Sequence, residues 1–348
     1  MSEAKDKIQN FLENMTQFAT LDTPQSYKNL IIIPLILKDD VLDFITIKKA
    51  EEAEIGFIQE IKSGEQVATL QAVNQGTTPL LIPYMQVVQG GKQDRTIYEP
   101  ILVAPETTID IPSKCIEKRR WSYRSHQESK SKRFKTSPMK MTIGIQAKAI
   151  RAPYRKKAAQ SEVWESIEMM SNHMALGQTA APTRSGIQMQ ETQNEKLKDY
   201  SKHFKLVKNQ AGMIGLVNNQ VIAFEIYGNP AAFKDFWKDI LNSFAMEGLL
   251  RLSDNNDLKT LDSAEIHERT LHCFEKFTIQ YTNRRGVGLG TIIEFADQNL
   301  IWAGIALVYE NKFAHFYAVG KSIFLEQKIR TQRLRVSQLR RHKSQNYI

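Results

Sequence analysis

Two short stretches concentrate residues that could do chemistry. Gly90-Gly91-Lys92-Gln93-Asp94-Arg95 sets two glycines ahead of three charged side chains and one amide. Glycine lets a backbone approach a ligand closely, and successive N–H groups at such a corner can form a nest for an anion. Lys92 and Arg95 add positive charge, and Gln93 can donate and accept. The competing reading is a glycine-bulged hairpin corner with charges on its surface. The second stretch runs Ile111-Pro112-Ser113-Lys114-Cys115-Ile116-Glu117-Lys118-Arg119-Arg120-Trp121. Arg119 and Arg120 can fork onto phosphates, and Trp121 can stack on a base. If a bond is broken, Glu117 is the acid/base candidate and Cys115 the catalytic thiol candidate. The competing reading buries Cys115 and Ile116 in a strand and pairs Glu117 with an arginine.

Other chemistries find no support in the sequence. It has no phosphate-loop motif, no HExxH and no paired-cysteine metal pattern, so no metal site and no cofactor are expected. His272 and Cys273 are sequence neighbours and would point about 100° apart on a helix. Gly286-Val287-Gly288-Leu289-Gly290 looks like a nucleotide loop, but Thr291–Phe295 after it reads as a strand. A dinucleotide loop needs a helix there, so a tight turn is expected.

Charge is distributed unevenly. The 348 residues carry a formal net charge of +9, yet Glu117–Lys157 holds 14 Lys/Arg against two acids. Lys328–Lys343 holds seven Lys/Arg and no acid. A mildly acidic body thus bears two basic segments, which attract polyanions or an acidic surface of another subunit. Arg124, Lys130, Lys132 and Arg133 in the first segment, and Arg330, Arg333, Arg340 and Arg341 in the second, are the nucleic-acid-binding candidates. The bland reading is a solvated linker and a frayed tail. Two cysteines are too few for a disulfide framework, which fits a reducing compartment. No secretory pattern opens the chain, and the longest apolar run, Leu30–Leu37, is far shorter than a membrane span. The expectation is a cytoplasmic protein with no membrane partner.

The elements that must position these residues follow from periodicity. Residues 4–19 read as a short amphipathic helix. From Tyr27 to about Pro112, closely spaced β-rich runs separated by turn residues argue for an antiparallel sandwich or barrel. Pro34 and Pro83 suggest edge strands or bulges. Trp121–Pro138 is polar and basic and reads as a loop. Helical stripes follow at Glu162–Met174 and Thr192–Phe204. Gly212–Val217 and Gln220–Ile226, joined by Asn218-Asn219, read as a hairpin. Asn229-Pro230 is an N-cap followed by Pro, with Phe233, Phe236, Trp237, Ile240, Leu241 and Phe244 on one helical face. Asp262 and Glu265 form a capping-box pair before Ala264–Phe274. Strands resume at Phe277–Thr282, Thr291–Phe295, Trp302–Val308 and Phe313–Val319, and an amphipathic basic helix ends the chain. The expected class is α+β, divided as follows: an N-terminal helix (1–26), a β-sandwich-like domain (27–121), a basic linker (122–160), an antiparallel sheet with packed helices (161–322) and a basic helical tail (323–348).

The Lys92–Arg95 stretch and the Cys115-Ile116-Glu117 to Arg120-Trp121 stretch together resemble a prokaryotic family. It is the ADP-ribosylglycohydrolase- and rhodanese-phosphatase-associated protein domain. The family pattern has a KQNR stretch and a strand ending in C-[VI]-E-x-G-R-W; here Asp94 replaces the asparagine and Arg119 the glycine. Val163-Trp164, Gly212-Met213-Ile214, Phe233–Phe244 followed by Met246-Glu247, Gly286–Gly290 and Phe313-Ala314-His315 extend the likeness over roughly Tyr27 to Val319. Met85-Gln86 stands where Gly-Glu is usual. The resemblance implies an accessory protein that binds or processes an NAD-derived nucleotide such as ADP-ribose, in bacterial stress or phage conflict. Gly90, Gly91, Lys92, Gln93, Arg95, Arg119, Arg120 and Trp121 would form its binding site. Two alternatives stay open: a nucleic-acid-binding protein using the basic segments, or a homo-oligomer assembled through the tail helix.

Overall fold

A computed structural model describes residues 9–38, 41–61, 68–118, 122–123, 132–175, 185–252, 260–273 and 279–321. The fold is α+β. The strands in chain order are β1 (Ala19–Leu21), β2 (Gln25–Tyr27), β3 (Leu30–Leu37), β4 (Ile45–Thr46), β5 (Gly56–Gln59) and β6 (Thr69–Asn74). Then come β7 (Leu80–Ile82), β8 (Gln86–Gly90), β9 (Arg95–Ile97), β10 (Ile101–Val103), β11 (Thr107–Cys115) and β12 (Arg133–Lys140). The last six are β13 (Gln210–Val217), β14 (Gln220–Tyr227), β15 (Ile279–Arg285), β16 (Thr291–Asp297), β17 (Trp302–Tyr309) and β18 (Lys312–Gly320).

The described residues form three sheets. A nine-stranded antiparallel sheet runs β1-β3-β13-β14-β18-β17-β16-β15, with β2 also on β3. Six strands close a barrel in the order β11-β6-β5-β12-β8-β9. A small sheet, β10-β7-β4, sits beside it. The long helix Pro230–Leu250 starts where the sequence says it should, with the Asn229 side chain accepting from the Ala231 N–H at 2.8 Å. It buries Phe233, Phe236, Ile240, Leu241 and Phe244 in one core shared by the barrel and one face of the large sheet. Gly215 on β13 makes room for Phe244: a Cβ there would lie 2.1 Å from the ring. The opposite face of the sheet, with Phe224, Phe295 and Phe316, is covered by Phe11, Leu12 and Met15 and by Ile266 of helix Ser263–His272.

Local rules place several elements as expected. Asn218 and Asn219, both at positive φ, close the β13–β14 hairpin. Asp262 and Glu265 make the capping box. Gly286–Gly290 is a tight turn between β15 and β16, closed by Gly286 N–H to Gly290 O at 3.1 Å. It packs on Leu102, whose carbonyl a Cβ at residue 288 would meet at 2.1 Å.

Three expectations need correction. The division at residue 121 does not follow the sheets: β3 pairs with β13, not with the strands that follow it, while strands from β5 onward close a barrel, one of the two arrangements expected of them. Pro34 lies inside the large sheet. It falls between the stretches paired to β2 (Leu30–Ile32) and to β1 (Leu35–Leu37), where no ladder partner asks for its missing N–H. The expected basic linker contains β12 and the fully buried helix Ile143–Arg151. Phe134, Thr136, Ser137 and Lys140 of β12 are buried, and the exposed Arg133, Lys135 and Pro138, with a register shift after Thr136, hide the alternation. The expected C-terminal helix lies outside the described residues.

Candidate functional site

The barrel brings the two chemical stretches together. β9 lies between β8 and β11, so Arg95 stands opposite both Val88 and Cys115. The corner between β8 and β9 is Gly90–Asp94. Gly90 and Gly91 have φ of +132° and +58°, where an L side chain is strained. A Cβ on Gly91 would also lie 2.4 Å from Glu60 Oε1 and 2.6 Å from Phe134 Cζ. Asp94 locks the corner, accepting from the Gly90 N–H at 3.1 Å while its carbonyl accepts from Ile116 N–H at 3.1 Å.

Inside this corner Arg95 donates from Nη1 to Gln93 Oε1 at 3.3 Å and to Cys115 Sγ. The Cys115 thiol also reaches Gln93 Oε1 at 2.8 Å, and Gln93 Nε2 donates to the Glu117 carbonyl at 3.0 Å. Gln160, from helix Ala159–Ala175, brackets the Cys115 backbone with two bonds of 2.9 and 2.8 Å. Burial pushes the Cys115 thiol up, and the Arg95 charge pulls it only partly back. Burial also pulls Lys114 down, its ammonium lying 5.0 Å from the Tyr98 ring centre.

The structure thus assembles Gly90, Gly91, Gln93, Arg95, Cys115 and Glu117 into one hydrogen-bonded corner. Arg95 is fully buried and Gln93 nearly so, while Lys92 and Glu117 are half-buried at the rim. The Lys92 carbonyl accepts from Ser122 N–H at 3.2 Å, which ties the returning chain to the lip of the corner. Arg119, Arg120, Trp121, Arg124, Lys130, Arg330, Arg333, Arg340 and Arg341 lie outside the described residues. Lys132 and Arg133 are exposed at the start of β12, with the Arg133 guanidinium 3.7 Å from the Phe57 ring centre.

A second polar cluster escaped sequence reasoning. Glu225 on β14 is fully buried, and its Oε1 accepts from Lys140 of β12, from the Tyr227 hydroxyl at 2.9 Å and from His315 Nε2 of β18 at 2.9 Å. The register explains the convergence: Tyr317 pairs with Glu225 and His315 with Tyr227, and alternate residues share a face. Burial alone would raise Glu225, but Lys140 and His315 outweigh it and hold the carboxyl down to about 2. Burial lowers Lys140 and His315, against the pull of Glu225. Nearer the surface, Lys48 pairs with Asp239 at 2.6 Å. Burial still raises Asp239 to about 6, with Lys48 opposing. The signals in the sequence were Glu225 within the apolar run Val221–Tyr227 and His315 within Phe313–Val319. With every member of the Glu225 group enclosed, the cluster works as an interlock between barrel and sheet rather than as an open reaction site.

Among the described residues there is no group of three or more acids, histidines and cysteines that could hold a metal ion. No helix among them is long and apolar enough to cross a membrane. A family model described as the ARG and Rhodanese-Phosphatase-superfamily-associated Protein domain matches residues 19–319. No curated protein and no solved structure matches the chain.

Proposed function

The chain belongs to the ARG and Rhodanese-Phosphatase-superfamily-associated Protein domain family, and from that membership we propose that it is an accessory protein that binds or processes an NAD-derived nucleotide such as ADP-ribose. The observation that carries this reading is the Gly90–Arg95 corner. Two positive-φ glycines, a half-exposed Lys92 and a buried Arg95 guanidinium converge within one hairpin turn. Positive charge gathered at a low-dielectric corner favours a phosphate over water. Lys92 would meet the pyrophosphate at the rim, and Arg95 would supply positive potential from below while holding Gln93 and Cys115 in place. If the ligand is turned over, Glu117 is the acid/base: it sits at the rim, whereas burial keeps the Cys115 thiol protonated.

Calorimetry with ADP-ribose and NAD at two salt concentrations tests the reading, with a short DNA duplex alongside. Saturable ADP-ribose binding, weakened about tenfold or more by Lys92→Ala, is the expected result, the scale of a charged hydrogen bond. No nucleotide signal would overturn it. DNA binding that falls steeply with salt would instead favour the basic segments.

A further inference from the structure

Strand β15 forms one outer edge of the large sheet. Among the described residues it pairs with β16 alone, through all seven of its residues and without a bulge. Gln280, Thr282, Asn283, Arg284 and Arg285 are exposed, while Tyr281 is half-buried against the core of the large sheet's outer face. The strand Ile-Gln-Tyr-Thr-Asn-Arg-Arg has no proline and no lysine, two common means of blocking an edge. The regular ladder to β16 leaves the N–H and C=O groups of alternate residues directed outward, a template for one more strand.

We propose that β15 pairs antiparallel with β15 of a second copy of this chain, across a twofold axis at Thr282, so that two nine-stranded sheets join into one. The strand is self-complementary in that register. Thr282 faces its own copy, Tyr281 faces Asn283, and Gln280 faces Arg284, whose guanidinium can donate to the glutamine Oε1. Arg285 falls opposite position 279, an isoleucine, so no like charges meet directly. Arg284 does not repel the second copy, because it already pairs with Glu99 and Glu294 of its own chain. The pairing of every position with a compatible one in a second copy favours that copy as the occupant. Twofold dimers are also the commonest closed assembly. This inference does not depend on the nucleotide reading.

The test is light scattering on the full-length chain, coupled to size-exclusion chromatography over a concentration series. The wild-type protein should weigh twice the 39.9 kDa chain. Thr282→Lys sets two ammonium groups face to face on the axis and should weaken the dimer by at least about tenfold. Thr282→Glu should do the same. Thr282 is exposed, so both variants should fold, as circular dichroism would confirm. Mixing the two variants should restore a dimer of one copy of each. A monomeric wild type, a Thr282→Lys variant that dimerises as tightly as wild type, or a mixture that stays monomeric would each overturn the proposal.

Discussion

Replacing Lys140 by methionine should expose what the barrel–sheet interlock costs when half of it is removed. Lys140 and Glu225 are both fully buried, and their side chains meet across the join between β12 and β14. Methionine fills much of the lysine volume, so packing changes little. What changes is the charge: Glu225 keeps the Tyr227 hydroxyl and His315 but loses its ammonium partner. Removing one member of a buried pair costs about 3–5 kcal/mol, because the other charge stays dehydrated and uncompensated. Part of that loss should be recovered by protonation, so the folded-state carboxyl should rise from about 2. The double variant Lys140→Met/Glu225→Gln removes both charges and should be far more stable than the sum of the single costs. Urea denaturation of wild type, both single variants and the double variant at neutral pH closes a double-mutant cycle. A Lys140→Met cost below about 1 kcal/mol, or strictly additive costs, would refute the reasoning.

Other outcomes follow from named contacts. Asp239 is raised in the folded state to about 6, so the native protein holds that proton more tightly than the unfolded chain. Its contribution is present below the ordinary aspartate range and is lost as pH rises through about 6; Asp239→Asn should flatten that slope in urea midpoints between pH 4 and 7. Glu225 has the opposite sign: held down, it contributes above the ordinary carboxylate range and loses that contribution as pH falls toward 2. Gly91→Ala should cost about 2–3 kcal/mol, since it combines a positive φ with contacts under 3 Å. Gly286→Ala, whose nearest contact would be 3.5 Å, should cost less than about 1 kcal/mol, and equal thermal shifts for the two would contradict this. Asn229→Ala removes the cap of the long helix and a 2.9 Å bond to the Leu42 carbonyl. It should lower stability by about 1–2 kcal/mol in denaturant titrations.

What the sequence revealed was what local rules decide. Asn218-Asn219 fixes a hairpin, Asn229-Pro230 starts a helix and Asp262 with Glu265 caps another, because each depends on residues within a few positions. Barrel closure and the β3–β13 ladder depend on partners far along the chain, which periodicity cannot name. β12 was hidden for a different reason: its exposed positions are Arg133, Lys135 and Pro138, and a strand with charges and a proline looks like a loop when only composition is read. At the candidate site the sequence placed the glycine corner and the Cys115 strand in separate stretches. It took the β8–β9–β11 register to set Arg95 against Cys115. Glu225, Lys140 and His315 lie on three strands far apart in sequence, and although Glu225 and His315 each interrupt an apolar run, nothing local says that they meet.

The pairing of β3 also bears on how the chain is made. Leu30 meets Val217, about 190 positions later. At ordinary synthesis rates the eight apolar residues of β3 therefore leave the ribosome about ten to forty seconds before their main partner exists. Meanwhile only what precedes them, Phe11, Leu12 and Met15 and the short strands β1 and β2 among the described residues, can shield them, since the β5–β12 barrel closes without them. Pro34 lies in the middle of this run, where an added strand would need an N–H, and so weakens its pairing with a neighbouring nascent chain. A residue that looks misplaced in an interior strand thus acts as a guard against aggregation during the wait.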